Sequence, residues 1–150
     1  MFRQKFIYRL FVYGEMVFVR QRITIVTIRK PTDTNVNQEL QWFGSSLGLF
    51  NLRDKDKSCF RLFIELLKSA KRREMLTSDE LAARLELSRG TVIHHINRLM
   101  ESGLVVHEGS NYTLRVESLS NLIEEVEKDI QRTCDDLKRI AKDIDKRLGI

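Results

Sequence analysis

Proline is nearly absent. Pro31 is the only one in 150 residues, so everything after it is free of the residue that most often breaks a helix. Cysteine is almost as scarce. Cys59 and Cys134 lie far apart and form no C-x-x-C pair. That excludes a disulfide framework and a zinc-finger spacing, and it makes a reducing cytoplasm the expected setting. No apolar run reaches the roughly 18 residues of a membrane span. The longest apolar stretch, Phe6 to Val19, is interrupted by Arg9 and Glu15. The Arg-rich, acid-poor start has no small-residue cleavage site behind it, so neither a transit peptide nor a secretory signal is expected. A glycine-rich phosphate loop, H-E-x-x-H and G-x-S-x-G are all missing. His94 and His95 are neighbours that point to different faces, and His107 stands alone, so no metal site is expected. The carboxylates of the last third are interleaved with Lys and Arg as on a solvated helix. Nothing assembles an acid, a base and a pocket, so the expectation is a protein that is not an enzyme and uses no cofactor.

What the chain does have is unevenly charged. The net charge of +5 sits mostly in residues 1–30, where seven Lys and Arg face one acid. Residues 31–116 hold twelve against eleven, and residues 117–150 hold seven against nine. Bulk charge therefore supports nucleic-acid binding only weakly, and local placement must carry it. Phe2 to Tyr13 and Met16 to Ile28 are rich in Phe, Tyr, Val, Ile and Thr, with Gly14-Glu15 between them, which predicts an N-terminal β-hairpin. The alternative makes Met16 the true start and residues 1–15 an extension. Pro31-Thr32-Asp33-Thr34-Asn35 is a polar break. Asn37 to Phe43 reads as a short helix that stops near Gly44, and the charged run Arg53 to Lys57 follows. The expected organisation is an N-terminal β-rich basic extension (1–30), a linker with a short helix (31–55), a helix-turn-helix domain (56–116) and a long helix (117–150).

The first strong helix is predicted over Asp56 to Ala70. Phe60, Phe63, Ile64 and Leu67 recur at helical spacing and define its buried face, with Cys59 beside that face as a small hydrophobe. Lys68, Lys71, Arg72 and Arg73 trim its C-terminal end. Thr77 and Glu80 stand at capping-box spacing and open a second helix with Leu81, Ala82 and Leu85 inward. Glu86-Leu87-Ser88 is a turn, and Ser88 caps a third helix. Turned at about 100° per residue, that helix puts Val92, Ile96, Leu99 and Met100 on one side. Gly90, His94, Asn97, Arg98 and Glu101 fall on the other, and His95 turns toward the core. Ser102-Gly103 ends it. Leu104 to His107 and Tyr112 to Arg115 read as two strands around Gly109-Ser110-Asn111, a small wing.

A helix with short polar and forked side chains on its open face is the kind that reads base edges in a major groove. Arg89 and Arg98 suit guanine or phosphate, and Asn97 suits adenine. Ser88 and Thr91 lie where a helix N-terminus favours phosphate. Gly90 removes bulk there, and His94 projects outward. Ser110, Asn111 and Arg115 place the wing on flanking backbone or minor groove. Each residue alone reads equally well as solvated surface; the combination is stronger than its members.

From Ser118 to Leu148 a helix runs without Gly or Pro. Ile123, Ile130, Leu137 and Ile144 fall at heptad position a, and Leu119, Val126 and Ile140 at d, with Thr133 and Arg147 completing d. This predicts a seam between two chains, with packing on the chain's own domain as the alternative. Cys134 lies beside the seam.

The run Leu76 to Val106 resembles the winged-helix core of ArsR/MarR-type regulators, especially archaeal ones. The resemblance rests on Ser88, Thr91-Val92, His94-His95-Ile96, Leu99 and Gly103-Leu104-Val105. It covers roughly residues 56–116 and implies a homodimer bound to a pseudo-palindromic duplex DNA operator. Metal-sensing members carry cysteines in the helix before the recognition helix, whereas here that helix reads Glu80-Leu-Ala-Ala-Arg-Leu85. Residues 117–150 contain no histidine, so their other metal sites do not carry over. The expected fold is thus mainly α with a small β wing. It is a winged helix-turn-helix with a long C-terminal dimerisation helix, acting as a transcription regulator with no membrane partner and an effector the sequence does not name. The alternative is a winged-helix protein-interaction module whose long helix docks a different partner. A nucleic-acid enzyme subunit is the weakest of the three readings.

Overall fold

In a computed structural model of the chain, residues 8–12, 15–19, 21–32, 35–50 and 54–150 are described. The expected turn at Gly14, the strand positions before Tyr8, part of the polar break and Arg53 lie outside them. Strands β1 (Tyr8–Val12) and β2 (Glu15–Val19) pair antiparallel with Val12 opposite Glu15, the hairpin expected from their β-branched and aromatic composition. The second strand does not continue to Ile28. From Gln21 to Lys30 the chain forms no strand and instead runs as a strap over the helical domain. The Arg22 N–H donates to the Glu101 carbonyl (2.8 Å), and the Val26 N–H donates to the Ser46 carbonyl (2.8 Å). Ile23 packs on the core while Ile25, two positions on, stays exposed, so the strap buries only its first apolar residue.

Helix α1 (Val36–Ser46) is capped by Asn35, whose side chain accepts from the Asn37 N–H. It passes through Gly44 rather than stopping there. Gly44 is buried, and a Cβ on it would lie 2.7 Å from Phe60 Cδ2. The glycine marks a close helix approach, not a helix end. Helix α2 (Ser58–Lys71) buries Cys59, Leu62, Phe63, Leu66 and Ala70. Its core face is therefore rotated from the expected one: Phe60, Ile64 and Leu67 are only half-buried, and Cys59 lies within the face. Leu62-Phe63 and Leu66-Leu67 supply apolar residues on both possible faces, so periodicity alone does not choose between them.

A two-residue strand β3 (Leu76–Thr77) follows, then α3 (Ser78–Leu85), α4 (Arg89–Glu101), β4 (Val105–Glu108), β5 (Asn111–Leu114) and α5 (Leu119–Leu148). The sheet order is β3-β5-β4, all antiparallel, with Leu76 opposite Tyr112 and Glu108 opposite Asn111. The wing thus has a third strand that was not expected, and its turn is two residues, Gly109-Ser110, one fewer than expected. Two residues are too short to show a period, so β3 leaves no sequence signal of its own. Leu62, Phe63, Leu66, Leu81, Val92, Ile96, Leu99, Leu104 and Leu122 are fully buried between these elements. This is a winged helix-turn-helix fold with a long C-terminal helix.

Candidate nucleic-acid interface

The entry to α3 is held by a reciprocal cap. Thr77 Oγ1 accepts from the Glu80 N–H (3.2 Å), and the Glu80 carboxylate accepts from the Thr77 N–H (2.8 Å). Glu86 ends the helix in the left-handed region at φ 54°. Leu87 packs on the core at the corner, and Ser88 Oγ accepts from the Thr91 N–H (3.1 Å) to start α4. Ser88 and Thr91 hydroxyls also meet at 2.8 Å. The N-terminus of α4 is thereby fixed by side chains that remain at the surface.

The inner face of α4 is Val92, His95, Ile96, Leu99 and Met100, as the sequence predicts. His95 is tied to α2 rather than merely packed. Its Nε2 lies 2.6 Å from Ser58 Oγ, and Ser58 Oγ donates to Asp54 Oδ1 (2.7 Å). A hydroxyl has one proton, so His95 donates from Nε2 and its Nδ1 is the bare acceptor. That Nδ1 is buried and has no hydrogen-bond partner among the described residues. Burial pushes the His95 pKa down, against the pull of Asp54. Asp54 itself is held low: burial opposes this, but hydrogen bonds from the Cys59 N–H, the Ser58 hydroxyl and the Ser58 N–H outweigh it. The serine sits in the middle of the chain, buried, with its proton committed to the carboxylate. The network is a structural tie, not a nucleophile with its base. Residues so far apart in sequence gave no hint of it. Next to it, burial raises the Cys59 thiol to about 11, which makes it an unreactive packing group.

The outer face is divided. Arg89, Gly90, His94 and Asn97 are exposed, Thr91 is half-buried at the rim, and nothing would crowd a Cβ at Gly90. Arg89 Nε lies 3.5 Å from Asp79 Oδ1 with both side chains largely in solvent, a pair too weak to hold it. Arg98 is placed differently. It is half-buried, and its Nη2 donates to the Gly48 carbonyl (3.3 Å), locking the far end of α4 to the end of α1. Glu101 is likewise turned inward, 3.6 Å from Arg22. Gly103 follows at φ +79°, and a Cβ there would strike the Gln21 side chain. At the wing, Ser110 is exposed at the tip and Asn111 is half-buried. Arg115 is not at the tip. It grips α5, with Nη1 2.5 Å from Asp129 Oδ2 and Nη2 3.2 Å from Glu125 Oε2.

Asp129 is a buried junction that the sequence did not disclose. It accepts from Gln21 (3.0 Å), Arg115 and Arg132, so the strap, the wing and α5 meet on one carboxylate. Burial would raise its pKa, but the Arg115 and Gln21 hydrogen bonds and the Arg115 charge hold it below the usual range. Residues 64–106 match the model for the bacterial regulatory protein, arsR family. This segment is similar to the arsR-family helix-turn-helix. The match runs from within α2 through α3 and α4 to Val106, so it contains the whole candidate reading helix and only the first two residues of β4. In this fold it supports DNA binding and regulation of transcription. No curated protein and no solved structure matches the chain. The metal donors of sensing members do not fit here: α3 has no cysteine, α5 has no histidine, and the described residues contain no cluster of three or more metal-ligating side chains. Among the described residues no helix is long and apolar enough to cross a membrane.

Proposed function

We propose that this chain is a homodimeric regulator that reads duplex DNA with the exposed face of α4, from Arg89 to Asn97, in the major groove and the wing tip on flanking backbone. The observation that carries the reading is the open outer face of α4 and its capped N-terminus. There Arg89, Gly90, His94 and Asn97 stand clear of the core while Ser88 and Thr91 present hydroxyls and N–H groups at the helix mouth. Ser110 and Asn111 are the wing's contacts. Arg98 and Arg115 act at one remove: the first holds the angle of α4 on α1, and the second holds the wing on α5. The reading is one of binding, not catalysis.

The test is a selection from random duplex DNA with purified protein at two salt concentrations. An enriched two-fold motif whose affinity falls with salt is expected; no motif, or no salt dependence, sinks the proposal. Arg89→Ala and Asn97→Ala should each weaken the selected site by about 1–3 kcal/mol with the fold unchanged by circular dichroism. Arg89→Ala should also flatten the salt dependence if its partner is phosphate.

A second reading has one observation in its favour. Asp79, Glu80, Glu86 and Glu108 are exposed around the reading head, which keeps it near neutral. That suits a winged helix bound to another protein. Retention of a protein partner by the Arg89→Ala and Asn97→Ala variants, with no DNA motif in the selection, would decide for it.

A further inference from the structure

A cleft of about 370 Å³ lies beside the C-terminal end of α4. Ligand sites run from ~300 to ~1,000 Å³, so it suits a small molecule. The strap contributes Arg22 and Thr24, the end of α1 contributes Leu47, Gly48 and Leu49, and Arg98 and Glu101 reach it from α4. Backbone bonds clamp the strap on either side of Thr24: the Arg22 N–H donates to the Glu101 carbonyl and the Val26 N–H to the Ser46 carbonyl. Gly48, at φ +67°, fits against the strap because it has no side chain. A Cβ there would lie 2.8 Å from Thr24 Cγ2.

The polar groups of the cleft are unevenly matched. Arg98 is half-buried, yet its hydrogen bond goes to a neutral acceptor, the Gly48 carbonyl, at 3.3 Å. Among the described residues no carboxylate pairs with it. Glu101 faces Arg22 instead, at 3.6 Å. Asp54, on the far side of Cys59, already accepts from the Ser58 hydroxyl and from the Ser58 and Cys59 N–H groups. Two guanidiniums therefore share one carboxylate. The C-terminal ends of α1 and α4 would repel an anion, but their carbonyls are occupied. Ser46 and Glu101 accept from the strap, and Leu99 accepts from the Leu104 N–H and the Ser102 hydroxyl. Donors are left over. A guanidinium has five N–H groups, and Arg98 commits one of them here. The Thr24 hydroxyl has no hydrogen-bond partner among the described residues. A site with spare donors, spent acceptors and a surplus cation suits a carboxylate or a phosphate.

We propose that this cleft binds a small organic anion, with its carboxylate or phosphate head on Arg98 and Arg22 and its short carbon body against Leu47 and Leu49. A charged acceptor outcompetes the neutral Gly48 carbonyl for Arg98. That carbonyl contact ties α4 to α1, so occupancy of the cleft reaches the helix that carries the exposed face. The site goes beyond the DNA reading and does not depend on it.

Trp42 supplies the readout. It is the only tryptophan, and its Nε1–H donates to the Ile28 carbonyl (3.4 Å) on the same strap that lines the cleft. The whole chain is titrated at constant ionic strength with succinate, with glycerol 3-phosphate and with inorganic phosphate, and sodium chloride serves as the blank. Succinate or glycerol 3-phosphate should change Trp42 emission saturably and raise the melting temperature over the same concentrations. Arg98→Gln should weaken that binding at least about tenfold, the lower end for one charge-assisted hydrogen bond. Arg22→Gln should weaken it severalfold, and it carries the test if Arg98→Gln folds poorly. Arg72→Gln, at the opposite end of α2, should bind as wild type. No saturable response by either readout overturns the proposal, as does binding that survives both Arg98→Gln and Arg22→Gln unchanged. Inorganic phosphate binding as tightly as either organic anion overturns the part assigned to Leu47 and Leu49. No arm uses DNA, so failure here leaves the DNA reading to its own selection experiment.

Discussion

His95 shows how one buried side chain ties α4, the candidate reading helix, to the domain behind it. It has one good hydrogen bond, to Ser58, and one ring nitrogen with none. Protonating Nδ1 would bury a donor without an acceptor, which is why burial outweighs Asp54 and lowers the pKa. The consequence for stability has a definite sign. An unfolded histidine titrates near about pH 6.5. Below that the unfolded chain takes up a proton that the native His95 refuses, so stability is level above about pH 6.5 and falls as pH drops from there toward the native value. The slope is at most about 1.4 kcal/mol per pH unit. Melting temperatures at about pH 7.5 and 5.5 should differ in wild type and converge in His95→Leu, which has no ring to charge. An undiminished pH step in His95→Leu would move the effect to another group.

At the scale of elements, the sign of a substitution depends on what the helix packs against. By helix propensity alone, Gly44→Ala in α1 should stabilise by about 1 kcal/mol. The new Cβ would meet the Phe60 ring at 2.7 Å and the Phe50 ring at 3.1 Å, and those two rings already lie tilted against each other at 4.8 Å between centroids. Rings wedged against each other cannot retreat, so a net loss of about 1–3 kcal/mol is expected in urea unfolding. Helix α5 offers a second contrast. Leu122→Ala removes a fully buried side chain and should cost about 2–5 kcal/mol. An unchanged unfolding midpoint would show that the root of α5 does not belong to the domain core.

For the whole molecule, the proposed homodimer predicts that α5 separates folding from assembly: Leu122 and Val126 are buried in the domain, whereas Leu137, Ile140 and Ile144 leave the far half of the helix bare. Leu137→Asp lies on the bare half, so it should leave the helical signal of the domain intact while shifting sedimentation toward monomer. A dimer that grips two half-sites gains from effective concentration. Losing it should lower operator affinity by about 10²–10⁴-fold without altering the sequence preference of a single half-site. A monomer that binds as tightly as wild type would mean that each winged domain reads DNA independently.

Local patterns in the chain determined a great deal. The Thr77–Glu80 capping box, the Ser88 cap, the inward face of α4 and the glycine stop at Gly103 are short-range features. Their geometry depends on residues within a turn or two, so they could be read directly. The winged-helix class followed from their order. Long-range features could not be read in the same way. Only the tertiary structure decided that Arg98 and Arg115, forked cations of the type that bind phosphate, are instead engaged by the Gly48 carbonyl and the Asp129 carboxylate. Only it decided that α2 turns Cys59 rather than Phe60 inward, and that Gln21 reaches across to Asp129. A guanidinium goes to whichever acceptor folding brings near it, and one hundred and eight positions of chain separate Gln21 from Asp129. The stripe on α5 is the intermediate case. Its period was plain in the sequence, but where the chain's own domain stops covering it, at Ile130, was decided by the size and placement of that domain.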